Sequence, residues 1–165
     1  MRVQRVAPSV ARRQAEWIVE LEPWRSLGYR RARLAAWLAQ AARDGRVAAA
    51  GGPGRIQGLI VAQPNVLLGT FIALLAVRPE AAGQGLGCAL VEQVARQTAR
   101  QRRWLYTSCD ARNRDAQRFY SRLGFERVGA LPGLIRRGRT EILLRKEVIS
   151  GQKSAASRKS RSFDF

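Results

Sequence analysis

The chain has 165 residues, with 30 lysines and arginines against 12 acidic residues, a formal net charge of +18, and no histidine. By the usual prior of ~100–200 residues per domain it is one domain, and its 46% of hydrophobic residues supply a core. The missing histidine excludes a His base, a His metal ligand and a His pH switch.

Arg2 to Val6 reads as a short strand, and Ser9 as the cap of a helix running toward Leu21. The segment Glu22 to Gly28 breaks that helix. From about Tyr29 a second helix sets Leu34, Trp37, Leu38 and Ala41 on one apolar face, and Asp44-Gly45 ends it. Arg46 to Ala50 and Arg55 to Gln63, on either side of Gly51-Gly52-Pro53-Gly54, predict an antiparallel hairpin. Phe71 to Val77 is a continuous apolar run, the pattern of a central strand covered on both faces. A glycine-rich turn follows, then a helix with Leu86, Leu90, Val91, Val94 and Ala95 on one face and arginines from Arg96 to Arg103 near its end. Trp104 to Cys109 is a further strand. Asn113, Ala116, Phe119, Tyr120 and Leu123 fall at helical spacing, closed by Gly124, and Phe125 to Ala130 and Thr140 to Leu144 form the last strand pair.

The domain is expected over residues 1–149. Residues 150–165, rich in serine and basic residues without apolar periodicity, read as a solvated tail. That tail accounts for only +3, so the basic character belongs to the domain. Of the cations only Lys146, Lys153 and Lys159 are lysines. Arginine forks suit phosphates and carboxylates, and a biased base composition explains the same preference equally well.

Cys88 and Cys109 are isolated thiols without metal-ligand or disulfide spacing, which fits a reducing cytosol. No window reaches the ~20 apolar residues of a membrane span, and Met1 to Arg5 is not followed by a signal core. A soluble, cytoplasmic protein is expected.

A buried strand that ends in a glycine-rich turn and opens a helix is built for anions, because the first helical N–H groups have no internal partners and the helix dipole stands behind them. Gly83, Gly85 and Gly87 occupy this turn. A Walker loop is excluded by the lack of any lysine nearby, and a dinucleotide fingerprint by the glycine spacing.

What remains resembles the GCN5-related N-acetyltransferase (GNAT) superfamily over roughly Arg2 to Lys146. Leu75-Ala76-Val77-Arg78-Pro79-Glu80, running into Gly83-Gln84-Gly85-Leu86-Gly87-Cys88, is similar to the family's acetyl-CoA motif. Asn113-x-x-Ala116-x-x-Phe119-Tyr120-x-x-Leu123-Gly124-Phe125 is similar to its helix and following strand. In motif style the chain is nearest to ribosomal-protein-type N-terminal acetyltransferases and to bacterial members. The resemblance implies an α+β fold of layered type: a mixed sheet flanked by helices, with a V-shaped splay between two parallel strands.

It also implies a site. Pantetheine would add to the main chain of Leu75, Ala76 and Val77 by strand augmentation. Pyrophosphate would sit on the N–H groups of Gly83, Gln84, Gly85, Leu86, Gly87 and Cys88. Tyr120 matches the family's general acid, and a phenol with an ordinary pKa near ~10 keeps its proton at neutral pH. Asn113 matches a cofactor contact and is equally a helix cap.

Two departures stand out. Ala82 replaces the arginine or glutamine usual in the coenzyme motif, and Ser108 stands where ribosomal-protein acetyltransferases place a glutamate. The base is therefore open among Glu141, Glu22 and a route through water with no protein carboxylate. Asp110 and Asp115 read as turn and helix-start residues. Cys88 has no histidine to activate it, which favours direct transfer in a ternary complex over an acetyl-cysteine.

Acceptor specificity is expected from Glu22 to Tyr29, where Trp24 and Tyr29 offer an aromatic wall, and from Leu131 to Arg139, a cationic rim suited to an acidic or phosphate-bearing surface. The function so implied is acetyl transfer from acetyl-CoA to the primary amine of a small molecule or protein N-terminus, by a monomer or homodimer without a metal. The alternative is a basic ribosome- or nucleic-acid-associated module, using the fold as a scaffold or modifying a protein on an RNA particle, with the salt-sensitive affinity for polyanions that its charge confers.

Overall fold

The computed structural model describes residues 3–52 and 54–148; the basic segment 150–165 and its predicted boundary lie outside them. The strands are β1 (Val3–Arg5), β2 (Val47–Gly52), β3 (Arg55–Val66), β4 (Gly69–Val77), β5 (Trp104–Asp110), β6 (Glu126–Pro132) and β7 (Thr140–Glu147). They form one sheet in the order β1-β2-β3-β4-β5-β7-β6, antiparallel except for the parallel β4/β5 pair at its centre. The helices are α1 (Pro8–Arg13), α2 (Ala15–Ile18), α3 (Trp24–Leu27), α4 (Arg31–Arg43), α5 (Leu86–Ala99) and α6 (Arg114–Arg122).

Two apolar layers cover the sheet. On one face α1, α2 and α4 bury Ala11, Ile18, Leu34 and Leu38 against Leu59, Val61, Leu74 and Ala76. On the other, Leu86, Leu90, Val91 and Val94 of α5 and Tyr120 of α6 pack on Ile60, Ile72, Leu105, Ile142 and Leu144. Leu59, Ile60 and Val61 are consecutive and fully buried because β3 is roofed on both sides, which is why alternation is absent there.

The sequence misjudges some local details. Ser9 does not cap the first helix: Ala7 is its N-cap, with no side-chain hydrogen bond, and Pro8 opens it with its φ preset. The helix expected to reach Leu21 breaks at Gln14, whose Nε2 donates to the Val10 carbonyl (2.9 Å) while its Oε1 accepts from Trp17 Nε1 (2.9 Å). The breaking segment carries a turn of its own, α3. On α4 the buried face is Leu34, Ala35, Leu38, Ala39 and Ala41, and Trp37 is 37% exposed.

The β2/β3 hairpin forms as expected, with a bulge between Ala50 and Gly51. A side chain at Gly51 would stand 2.1 Å from the Arg55 carbonyl oxygen, so the close approach at the bulge admits only glycine. A second bulge matters more. Ala62 pairs with Ile72 and Val61 with Leu74, leaving Ala73 as an extra residue on β4.

Candidate active site

β4 and β5 pair at Thr70/Leu105, Phe71/Tyr106 and Ile72/Thr107, and then stop. Beyond that point β4 stays with β3 to Val77, while β5 stays with β7 to Asp110. The strands therefore part at the Ala73 bulge, and the main chain of Leu75, Ala76 and Val77 has no β5 partner among the described residues. A cavity of about 120 Å³ occupies the fork, lined by Ala73, Leu74 and Leu75 on one side and Thr107, Ser108 and Cys109 on the other.

The glycine turn lies off the open end of β4. Gly85 is the N-cap of α5 with φ 79°, a left-handed conformation that glycine adopts at no steric cost. The first helical bond runs from the Ala89 N–H to the Gly85 carbonyl (3.0 Å), so the N–H groups of Leu86, Gly87 and Cys88 have no intrahelical acceptor. Nothing lies within 4 Å of the side-chain positions of Gly83 and Gly85, which leaves the turn open to an incoming anion. Gly87 serves packing instead: a side chain there would meet the Phe119 ring at 3.2 Å. An open strand edge leading to unpaired helical N–H groups fits a ligand with a peptide-like arm and a pyrophosphate.

Tyr120 reaches the fork from α6. It is 6% exposed and lines the cavity, wedged edge-on between Phe119 (5.1 Å) and Phe125 (5.2 Å). Burial pushes its phenol up to about 12, with the Thr107 hydroxyl beside it pulling the other way. The phenol is thus held as a proton donor. Asn113 caps α6, its side-chain oxygen accepting from the Ala116 N–H (3.0 Å), and also lines the cavity, so both readings of this residue keep their geometric basis.

Glu141 arrives from β7. Because it alternates with Ile142, which packs in the α5/α6 core, its side chain projects to the opposite face of the sheet, toward Tyr29. It is 5% exposed and lines the same cavity. Burial pushes its carboxyl above the usual range, neighbouring Asp110 adds to the rise, and Ser108 and Arg139 pull against it. Burial and the Glu141 charge together raise Tyr29 as well.

The other candidates stand apart. Glu22 is exposed and bonded to Arg25 Nε (3.0 Å) and the Ser26 N–H (3.4 Å), contacts that hold its carboxyl below the usual range. It lines a neighbouring cleft with Asp110 and Asn113 and does not line the Tyr120 cavity. Cys88 is half-buried in the first turn of α5. Cys109 does line the cavity, but burial pushes its thiol up to about 11, leaving it protonated and inert as a nucleophile.

Two residues are not visible as site features in the sequence. Asp110 is more than a turn residue: it accepts from the Arg112 N–H (2.8 Å) and is 3% exposed in an ion pair with Arg139 Nε (2.6 Å). Arg139, expected on a cationic rim, is therefore largely buried beside the cavity. The arginines from Arg96 to Arg103 cluster at the far end of α5, about 20 Å from the glycine turn by the rise of its 14 residues, so they touch nothing there. A pair at the end of one strand and the start of another has no spacing signature.

The family model for the acetyltransferase (GNAT) domain matches residues 35–127. The chain belongs to the GNAT family of acetyltransferases. Its fold is shared by a GNAT-family acetyltransferase from Bacillus cereus, at 17% identity and a TM-score of 0.74, over 90% of this chain and 97% of that one. A ribosomal-protein-alanine N-acetyltransferase from Brucella melitensis matches at 17% identity and 0.71, over 89% and 99%. An aminoglycoside 6′-N-acetyltransferase in complex with coenzyme A matches at 17% and 0.74, over 93% and 100%. At such identities the likeness is one of fold. No curated protein matches the sequence. The mixed sheet and the parting of β4 from β5 are the GNAT architecture expected from the motifs. No helix among the described residues is long and apolar enough to cross a membrane.

Proposed function

We propose that this GNAT domain transfers acetyl from acetyl-CoA to a primary amine by direct attack in a ternary complex. One observation carries the reading: Tyr120 and Glu141 enter from opposite faces of the sheet at the one place where its central strands part.

Bound acetyl-CoA supplies the activated acyl carbon. The chain would hold it by the open edge of Leu75, Ala76 and Val77 and by the N–H groups from Gly83 to Cys88, which serve in place of the longer polar side chain that Ala82 does not provide. Glu141, with a carboxyl raised above its usual range by burial, takes the amine proton on one face. Tyr120, its phenol at about 12, gives a proton to the departing sulfur on the other. Glu22 draws the cationic amine toward the mouth without touching the reacting atoms.

The acceptor side extends past the amine. The cavity shares Trp24, Leu27, Tyr29, Ala73, Leu74 and Ile135 with a groove of about 570 Å³ that continues to Trp37, with Arg30 and Arg33 on its lining. An acceptor with an apolar body behind its amine fits this surface, either a small molecule or a protein N-terminus.

The test is an acceptor panel of small amines and peptides with free N-termini, monitored by thiol release from acetyl-CoA. Turnover with an apolar member, abolished when its amine is blocked, supports the reading. Absence of acetyl-CoA binding at millimolar ligand overturns it.

A further inference from the structure

A second cleft, of about 420 Å³, lies at the other end of the sheet, where α5 finishes. None of the residues lining it lines the acetyl-transfer cavity. Four arginines from three segments converge on it: Arg5 of β1, Arg46 just before β2, and Arg100 and Arg102 after α5. Asp44 is the one carboxylate on the lining, and it is taken up by Arg46 at 2.5 Å.

The cationic groups are only partly spent. Arg46 also donates to Gln63, and Arg102 donates to Asn65 and to the Gln101 carbonyl, which leaves further N–H groups on each fork. Among the described residues Arg5 and Arg100 make neither an ion pair nor a side-chain hydrogen bond. The α5 carbonyls at this end are met by backbone donors, Thr98 O accepting from Gln101 (3.0 Å) and Arg102 (2.8 Å). The guanidinium groups are therefore not needed as helix caps.

The floor supplies an independent observation. Thr70 and Thr98 are 8% and 4% exposed and both line the cleft. Neither hydroxyl makes a hydrogen bond among the described residues, and neither is sealed from solvent, so each faces the cleft. Val94, Ile60 and Ala62 complete an apolar base. Two hydroxyls that keep their hydrogen-bonding capacity at the floor of the cleft are free to meet a polar ligand.

We propose that this cleft binds a small phosphate ester. Forks arriving from several directions suit a phosphate, whose three terminal oxygens accept from more than one guanidinium, better than a flat carboxylate. The hydroxyls of Thr70 and Thr98 complete its shell, and the apolar base takes the organic portion, for which a cleft of this volume has room. The proposal is independent of the acetyl-transfer reading, because the two sites share no residue.

The test is titration calorimetry of the full chain with AMP and with inorganic phosphate, each in the presence of saturating coenzyme A so that the glycine turn is occupied. AMP is expected to bind with a millimolar or lower Kd, and more tightly than phosphate. Arg46→Gln and Arg102→Gln should each weaken AMP by about tenfold, and Thr98→Val, which keeps the shape, by severalfold. Arg122→Gln, an exposed arginine on α6, should change nothing. Thermal melts identify any variant that fails to fold, and Thr98→Val then decides. Absence of AMP binding, AMP binding indifferent to the cleft variants, or equal weakening by Arg122→Gln overturns the site; equal affinity for phosphate and AMP overturns the ester.

Discussion

Asp110 and Glu141 stand directly opposite each other across the β5/β7 ladder, two buried carboxylates of which one is ion-paired. Arg139 binds Asp110, and among the described residues no cation pairs with Glu141. Like charges facing across a ladder repel. The asymmetry sorts them, one carboxyl fixed as an anion and the other raised.

Glu141→Gln should cut turnover by about 10²–10⁴-fold if the carboxylate is the base, and should remove the acidic limb of the pH–rate profile. Its effect on stability has the opposite sense. A carboxyl whose folded pKa is raised contributes stability below its unfolded pKa and loses it as pH rises through the folded value. At neutral pH the ionised group opposes folding, so the variant should melt at or above wild type at pH 7, with the difference shrinking in acid. Paired melting curves and pH–rate profiles check this.

Arg139→Gln should behave in reverse. Burial works to raise the Asp110 carboxyl, but the hydrogen bond and charge of Arg139 and the Arg112 N–H outweigh it and hold the carboxyl below its usual range. That stability is present above the unfolded pKa and lost as pH falls through the folded one. Leaving the carboxylate buried and unpaired costs about 3–5 kcal/mol. Denaturant midpoints should show a large loss at pH 7 that shrinks as pH falls below the usual carboxylate range.

Tyr120→Phe should lower kcat by about 10²–10⁴-fold while leaving acetyl-CoA affinity nearly unchanged, because the ring and its packing on Phe119 and Phe125 are kept. Single-turnover thiol release beside calorimetric titration separates these quantities.

Cys88→Ala should keep turnover within a few-fold of wild type, and intact-mass spectra during turnover should show no acetylated enzyme. The small side chain substitutes without strain inside the first turn of α5.

The elements carried by local chemistry are legible in sequence. The apolar run of β4, the glycine turn, the apolar stripe of α5 and the Asn113 cap all fall where spacing puts them. What spacing cannot give is which strands separate. The bulge at Ala73 has no glycine or proline to mark it, and only pairing with Val61 and Ala62 reveals it. The α1/α2 break at Gln14 is hidden because glutamine is a good helix former in isolation, and its partner Trp17 decides the local geometry. Period alone assigns Trp37 to the buried face of α4, while small Ala35 and Ala39 are buried in its place. Tyr120 and Glu141 both stand out in the sequence, but their arrival from opposite faces requires the sheet.

The fork between β4 and β5 is a slot through the sheet rather than a pocket on its surface. On the proposed reading, a donor held by the β4 edge and the glycine turn and an acceptor held by α3 and the loop before β7 would occupy separate sides of one wall and meet only through it. Recognition of each partner is thereby uncoupled in construction. The α3 and β6–β7 segments would then exchange for those of another acceptor specificity without disturbing the glycine turn, and the two products would leave in opposite directions without passing one another.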